Sequence, residues 1–426
     1  MFKFSISFLR IILLTSAIFI LTFILGAHFH KDSIWPFGKG YYAEFKLLKK
    51  YGWNYKEVLK EKDDVYRTTA HLINIKKISN FDFDHFATSN EYQNEIEYIG
   101  IKGNESNINK IKPLEIFLAK FNDETENLTD KHKILEIENN LRATDVLVMH
   151  NKRIFISYVA KINEKEELLK IIELVNQHGN YKAIDIFEST HLYIGDIDDK
   201  STSSGGKMIQ FSNNEILLGI GDFAQWEYAA DTYPNIDLDF GKMLVINIDS
   251  KKTKQYSKGH RNPQGLVKVE NYILETEHGP DGGDEINLID SNEDYGWPFV
   301  SYGAEYEELN PDAKINNKYG VHEGYKKPIY SFLPSIGIKA IEFLPESEKE
   351  FPKWKNNFFV CSTRGIYRVS LDFNKKANLI FASRLDDRRP FQQTLKIVPG
   401  CRDLQISSKG KIITNNGNLI TKNAKN

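Results

Sequence analysis

Short runs of alternating apolar and polar residues recur from about residue 130 onward. They join in pairs across polar turns, as in KMIQFSNNEILLGIGDF (207–223), GLVKVENYILETEHG (265–279) and NNFFVCSTRGIYRVSLD (356–372). Two short strands around such a turn are typical of an antiparallel hairpin. About 300 residues of hairpins with almost no helical periodicity favour a closed all-β architecture. We therefore predict a β-propeller, with a large β-sandwich as the alternative.

The first thirty residues follow a different pattern. No charged residue occurs between Ile11 and Ala27, a stretch of 17 residues that reaches the lower limit for a bilayer-spanning helix. Lys3 and Arg10 precede it, and the positive-inside rule then leaves the N-terminus in the cytoplasm and exports the rest. A cleavable signal peptide is the alternative, but Leu25-Gly26-Ala27 is a poor cleavage site. The prediction is a single-pass anchor in the cytoplasmic membrane, with the propeller on the periplasmic side.

The segment between the anchor and the hairpins has no consistent period. Residues 31–41 contain Pro and Gly as a linker does, 42–66 contain helix formers interrupted at Gly52, and 95–102 (EIEYIGIK) alternates like a strand. We predict three parts: a membrane anchor over 1–30, a linker and mixed α/β spacer over 31–130, and the propeller over 131–426.

Composition and charge narrow the function. The chain has 426 residues, and 56 Lys plus Arg against 58 Asp plus Glu give a net charge of −2, which argues against a nucleic-acid-binding protein. Hydrophobic residues make up 41% and charged residues 27%, which excludes wholesale disorder. Two cysteines exclude a disulfide scaffold and a four-thiolate zinc site.

Candidate chemistry is concentrated in residues 259–303. Two turn-rich polar clusters, HRNPQG (260–265) and EHGPDGGDE (277–285), flank one apolar strand pair. The turn at Gly279 and Pro280 exposes carbonyl oxygens, which are hard ligands of the kind that calcium prefers. Arg261 and its neighbours offer donors that suit a planar anionic cofactor. The alternative is a structural loop network in which Arg261 pairs with Asp284 or Glu285.

The runs RNPQGL, TEHGPDGGDEINLI and YGWP resemble the pyrroloquinoline quinone (PQQ)-dependent glucose/sorbosone dehydrogenase family, the soluble aldose sugar dehydrogenases. The resemblance is strongest over about 200–303, weaker over 140–200 and 325–415, and does not cover 1–130. It implies six blades, PQQ and Ca²⁺ as cofactors, a sugar substrate that gives hydride to the quinone, and a respiratory electron acceptor.

The resemblance also implies roles for individual residues. The implied cofactor contacts are Arg261, Asn262, Gln264, His278 and Arg402. The implied metal ligands are the carbonyls of Gly279 and Pro280 for the catalytic calcium, and Glu285 and Tyr295 for a second, structural calcium. Asp284 matches the aspartate that orients the catalytic base.

The chain departs from the family pattern at three further positions. Ser203 occupies the position of the base histidine, and loss of a positioned base typically costs about 10²–10⁴ in rate. Thr363 replaces a cofactor-binding lysine, and Gly400 replaces one of two arginines. Among the histidines, His191, His260 and His278 lie in segments that reach the channel.

Two further expectations follow from the resemblance. In the family, the loops that carry Cys361 and Cys401 approach the cofactor, so a disulfide in an oxidising compartment is one hypothesis and two unconnected buried thiols are the equally weighted alternative. The first functional hypothesis is a membrane-anchored, PQQ-dependent sugar dehydrogenase. The alternatives are a propeller that has lost this chemistry and binds a carbohydrate or protein partner, and a calcium-dependent hydrolase or lactonase.

Overall fold

Antiparallel sheets dominate this computed structural model. It describes residues 73–103, 111–193, 203–224, 238–280, 282–303, 318–319, 322–345, 350–373, 377–384 and 399–422. These residues belong to one compact unit, 69–387 and 396–426. None of them forms a helix long and apolar enough to cross a membrane. The predicted anchor and residues 31–72 of the predicted spacer lie outside the described residues.

The strands form six blades and one small accessory sheet. The chain first forms β1 (Ile73–Lys77), and blade I then consists of β2 (His85–Tyr92), β3 (Glu95–Lys102), β4 (Leu114–Asn122) and β5 (Asn127–Ile137). Blade II consists of β6 (Asn140–Val148), β7 (Ile154–Asn163), β8 (Glu166–Gln177), β9 (Asn180–Glu188) and β10 (Leu192–Tyr193). Blade III consists of β11 (Gly205–Ser212), β12 (Glu215–Ile220), β13 (Lys242–Asn247) and β14 (Thr253–Lys258).

The second half of the chain supplies the remaining blades. Blade IV consists of β15 (Pro263–Val269), β16 (Tyr272–Glu277), β17 (Asp284–Leu288) and β20 (Tyr330–Phe332), and the accessory sheet of β18 (Val300–Ser301) and β19 (Lys318–Tyr319). Blade V consists of β21 (Ile338–Leu344), β22 (Asn357–Ser362), β23 (Gly365–Asp372) and β24 (Asn378–Arg384), with a short 3₁₀ helix at Pro352–Trp354. Blade VI consists of β25 (Leu404–Ile406), β26 (Ile412–Thr414), β27 (Asn418–Lys422) and the returning β1.

Two observations show that the blades close into a ring. The first strand of each blade contacts the first strands of the next and preceding blades, from β2 through β25 and back to β2. In addition, β1 pairs antiparallel with β27, so both ends of the propeller chain share blade VI. Full closure removes exposed sheet edges between first and last blades. The six-bladed propeller prediction is therefore confirmed.

The apolar core lies between the blades. Six separate clusters of buried side chains each join two neighbouring blades around the ring. The alternation of each strand explains this arrangement, because successive side chains point to opposite faces of a sheet. In β12, for example, Ile216 and Leu218 pack toward blade II while Leu217 packs toward blade IV. The predicted hairpins 207–223, 265–279 and 356–372 are present as β11–β12, β15–β16 and β22–β23.

The propeller begins earlier than the boundary at residue 131. Residues 85–137 form the whole of blade I, and β1 begins at Ile73. The strand indicated at 95–102 is present as β3, but the sequence analysis did not join it to a blade, because β5, with sequence NLTDKHKILEI, is exposed or half-buried along its length. An outer strand of this kind presents little apolar periodicity.

Candidate functional site

The first strands of the blades surround a channel. A cavity of about 610 Å³ is lined by residues from β2, β6, β11, β15, β21 and β25. Hydrogen bonds and ion pairs link residues at or just before the starts of these strands, so the starts meet at one end, which we call the channel mouth. The predicted site residues lie at this mouth or just outside it.

Arg261 joins the two polar clusters that the sequence singled out. Its Nη1 donates to the carbonyls of His278 (3.1 Å) and Gly279 (2.9 Å), and its guanidinium lies 5.3 Å from the centre of a Trp297 ring. The backbone N–H of Arg261 donates to Glu277 Oε2 at 2.9 Å. The predicted union of RNPQ and EHGP in one place is thus present. The Gly279 carbonyl, one of the two that the resemblance assigns to the catalytic calcium, already accepts a hydrogen bond from the Arg261 guanidinium.

The amides of the RNPQ segment are buried and hydrogen-bonded. Gln264 Nε2 donates to Asn262 Oδ1 at 2.7 Å, and the backbone N–H of Gly205 donates to the same oxygen at 3.3 Å. Lys339 Nζ donates to Gln264 Oε1 at 3.1 Å. This chain of bonds ties blades III, IV and V together at the mouth.

Lys339 is a site residue that sequence analysis missed. Burial, with repulsion from Arg142 and Arg402, lowers its pKa to about 7. The available signal was a lysine inside the apolar run GIKAIEFL (337–344). Lys339 places a cation at the mouth. Two cations of the family pattern are missing there, because Thr363 replaces a lysine and Gly400 replaces an arginine.

Ser203 and Asp284 are the residues that the resemblance assigns to proton abstraction. Among the described residues, neither has a hydrogen bond to an imidazole. Ser203 is buried, and its carbonyl accepts from the Phe223 N–H at 3.1 Å. Asp284 Oδ1 accepts from Ser335 Oγ at 3.0 Å, and its Oδ2 accepts from two backbone N–H groups at 2.9 and 3.0 Å, those of Ile336 and Ile338. Asp284 therefore shapes the loop that leads into β21.

The three candidate histidines have different environments. His191 is exposed, 3.9 Å from Glu166 Oε2. His260 is fully buried behind the RNPQ segment, with Nε2 2.8 Å from Ser257 Oγ. His278 is partly exposed, its Nε2 contacts the Ile338 carbonyl, and its backbone N–H donates to the Asn262 carbonyl at 3.2 Å. Burial and repulsion from Lys339 and Arg261 hold the pKa of His278 well below its usual value. Of the three, His278 is the histidine with access to the mouth.

A disulfide joins Cys361, near the end of β22, to Cys401, just before β25, with Cα atoms 5.3 Å apart. The expected pairing of the two cysteines is therefore present. A side chain at Gly400 would place its Cβ 2.3 Å from the Thr363 carbonyl oxygen, so this close approach explains glycine where the family pattern has arginine. Arg402 follows the bridge, and its N–H donates to Asn415 Oδ1 at 2.9 Å.

Glu285 and Tyr295 line a cavity of about 10 Å³, close to the volume of one water-sized probe, together with Pro280. Glu285 Oε1 lies 3.2 Å from His322 Nε2. The Tyr295 hydroxyl donates to the Leu288 carbonyl and accepts from the Asp290 N–H. The tyrosine hydroxyl is therefore engaged by backbone groups, which leaves its carbonyl as the oxygen available to a cation.

A buried ion network lies at the mouth, just inside the channel. Lys207 Nζ is 2.8 Å from Asp145 Oδ1, 3.0 Å from His85 Nδ1 and 3.9 Å from Asp403 Oδ2. Sequence analysis missed these four residues because they lie in, or directly before, the first strands of four blades, which are distant in the sequence. Each was visible as a polar residue in or beside an apolar strand.

These observations allow a test of the implied cofactors. Cations surround the mouth, and their mutual repulsion lowers the pKa of Lys339, so a multiply charged planar anion would relieve it. The residues present therefore fit PQQ. Calcium fits less well, because Arg261 already donates to the Gly279 carbonyl.

Comparison with known proteins agrees with this geometry. The family model described as Glucose / Sorbosone dehydrogenase matches residues 143–412. Aldose sugar dehydrogenase YliI of Escherichia coli is 26% identical over 172 residues (37% of this chain, 44% of that protein). Quinoprotein glucose dehydrogenase B of Acinetobacter calcoaceticus is 25% identical over 228 residues (47% and 46%). The matches thus span about half the length of these relatives.

A solved structure extends the likeness in fold. The soluble aldose sugar dehydrogenase of Escherichia coli, in its apo form, superposes with a TM-score of 0.62 and 16% identity, covering 82% of this chain and 99% of that one. At this identity the likeness concerns the fold alone.

Proposed function

Because the chain belongs to the glucose/sorbosone dehydrogenase family, we propose that it is a PQQ-dependent sugar dehydrogenase, anchored to the cytoplasmic membrane by residues 1–30 and exported beyond it. The observation that carries the proposal is the cationic mouth built around Arg261 and Lys339, held by the RNPQ amides. The Cys361–Cys401 disulfide supports an oxidising compartment.

Each residue at the mouth has a stated part in this proposal. When bound, PQQ supplies a quinone that accepts hydride from a sugar hydroxyl carbon. Arg261, Lys339 and Arg402 bind its carboxylates through charge-assisted hydrogen bonds. Asn262 and Gln264 hold Lys339 in place.

His278 is the proton acceptor in this proposal. Its Nε2 contacts the Ile338 carbonyl, which assigns the ring proton to Nε2 and leaves the lone pair on Nδ1. The lowered pKa keeps this imidazole neutral at pH 7 but makes it a weak base. A better base at Ser203 should therefore increase the rate.

The test is PQQ binding to the full chain purified in mild detergent, measured by equilibrium dialysis with cofactor absorbance, with Ca²⁺ and with Mg²⁺. We expect saturable binding that Arg261→Met weakens and that the exposed-arginine control, Arg364→Met, leaves unchanged. Dye reduction with a panel of aldoses then measures activity, and Ser203→His should raise it at least about tenfold. Absence of binding at saturating PQQ would overturn the dehydrogenase proposal and leave a propeller that binds another ligand.

A further inference from the structure

Beside the mouth lies a buried group of side chains that the proposed function does not use. His260, Glu275 and Glu277 each offer one ligand atom, and these atoms all lie within 4.8 Å of one another. The exposed fraction is 0% for His260 and Glu275 and 4% for Glu277. Glu275 and Glu277 come from β16, and His260 comes from the turn that leads into β15. The protein therefore concentrates two carboxyl groups and an imidazole away from water.

Several polar atoms of this group have no hydrogen-bond partner among the described residues. They are His260 Nδ1, Glu275 Oε1 and Asn287 Oδ1. Buried polar atoms in native proteins are nearly always paired, so three such atoms in one place indicate an absent partner. The other contacts are ordinary: Asn287 Nδ2 donates to Glu275 Oε2 at 3.0 Å and to Glu277 Oε1 at 3.1 Å.

The distance between the imidazole and the nearer carboxylate discriminates between a proton and an ion. His260 Nδ1 lies 4.0 Å from Glu277 Oε2. A hydrogen bond requires about 2.7–3.2 Å, so no proton is shared across this gap. Two ligands of one tetrahedral metal ion, each about 2.0–2.2 Å from it, lie about 3.3–3.6 Å apart, so binding an ion would draw these two atoms together by roughly 0.5 Å.

The outer contacts of His260 are those of a metal ligand. Its Nε2 is 2.8 Å from Ser257 Oγ, and its ring stacks on Tyr295 with centroids 4.7 Å apart. A ligating histidine typically donates its second ring N–H to a neighbouring oxygen, which fixes the tautomer and aims the other nitrogen at the metal. With Nε2–H donated to Ser257, the lone pair of Nδ1 faces the two carboxylates.

We propose that His260, Glu275 and Glu277 bind a divalent first-row transition metal ion, such as Zn²⁺ or Mn²⁺. A nitrogen ligand with two carboxylates suits these ions, whereas Ca²⁺ prefers oxygen ligands alone. Burial and the neighbouring Glu277 raise the pKa of Glu275 well above its usual value, and burial and the neighbouring Glu285 raise that of Glu277 to about 8. A divalent cation removes this repulsion. The ligand set differs from those of both calcium sites implied by the family resemblance, although Glu277 also lines the small cavity of Glu285 and Tyr295, and the proposal does not depend on PQQ binding.

The test measures metal directly. The full chain in mild detergent is stripped with chelator, dialysed against equimolar Zn²⁺, Mn²⁺, Co²⁺ and Ca²⁺ separately, and analysed for bound metal by mass spectrometry. We expect about one equivalent of a transition metal ion. His260→Gln and Glu275→Gln should each reduce the bound amount at least tenfold. The control Glu342→Gln, which removes a carboxyl group whose pKa is also raised to about 8, should retain it.

Three results would overturn the proposal: no retained transition metal, retention of Ca²⁺ alone, or equal metal in the wild type and in folded His260→Gln and Glu275→Gln. If a variant fails to fold, the Co²⁺-loaded wild type decides. Its visible d–d absorption should be intense and shifted from that of aqueous Co²⁺ if nitrogen and carboxylate ligands replace water, whereas a spectrum of hydrated Co²⁺ contradicts the site.

Discussion

Two buried clusters have the same composition, one histidine and two carboxylates, and Asp145 and Asp403 of the first line the channel cavity. In the first, His85, Asp145 and Asp403 surround Lys207, whose Nζ makes contacts of 2.8–3.9 Å with all three. In the second, Glu275 and Glu277 accept hydrogen bonds from Asn287, and Glu277 also accepts one from the Arg261 backbone N–H, while three polar atoms of the group have no partner in the described part of the chain. The chain supplies the cation for one cluster but leaves the other to an outside ion. Charge compensation, rather than residue composition, thus separates a structural network from a candidate binding site.

Removal of Lys207 should cause the largest loss of stability, because the first cluster would then lack a cation just as the second does. Lys207→Met leaves Asp145 and Asp403 buried without their cation, and breaking a buried pair in this way costs about 3–5 kcal/mol. Urea unfolding of the full chain measures the loss. The control is Lys170→Met, which removes a partner of Asp185 and Glu188 on the surface and should cost at most about 1 kcal/mol. Equal losses in the two variants would show that Lys207 is not essential to its cluster.

The second cluster should reveal its missing cation through the pH dependence of stability. Burial and the neighbouring Glu285 raise the pKa of Glu277 to about 8 in the folded protein. The unfolded chain therefore loses this proton first, so the contribution of Glu277 to stability is full below about pH 4.3 and is lost as the pH rises toward 8. In chelator, wild type should lose about 2 kcal/mol relative to Glu277→Gln between about pH 6 and pH 7.5.

Metal should remove that slope in the wild type and leave the pH profile of the Glu277→Gln variant unchanged. The measurement is urea unfolding at several pH values, with chelator and with excess Mn²⁺ or Zn²⁺. Other groups titrate in the same range, including Glu342 and Lys339, and the wild-type-minus-variant difference cancels their shared contributions. Identical pH profiles of wild type and Glu277→Gln in chelator would show that folding does not raise the pKa of Glu277.

The two clusters also show how far the sequence determines the site. The hairpins were predictable because alternation with a period of two is local, and RNPQ and EHGP were predictable as one site because a single hairpin joins them. Lys207, Asp145 and Asp403 were not, because blades I to VI must close before these residues meet. Of blade I, only β3 was indicated by the sequence, and the blade was not assigned for a different reason: its outer strand, β5, has few apolar positions. A charged residue inside an apolar strand, such as Lys207 in GGKMIQFS, was the signal available.

Lys339 is intermediate between the two clusters, and its substitution should give the smallest of the expected effects. Its ammonium has a hydrogen bond to Gln264 but sits among cations, which lowers its pKa to about 7. An anionic ligand binds the protonated form better and raises that pKa, so affinity for PQQ should be highest below about pH 7 and fall up to about tenfold per pH unit above it. Lys339→Met should weaken binding about tenfold at pH 6 and remove this dependence. Lys268→Met, on the exposed far end of β15, should change neither. A pH-independent affinity in the wild type would mean that the Lys339 ammonium takes no part in binding the anion, and the cationic mouth would then rest on Arg261 and Arg402.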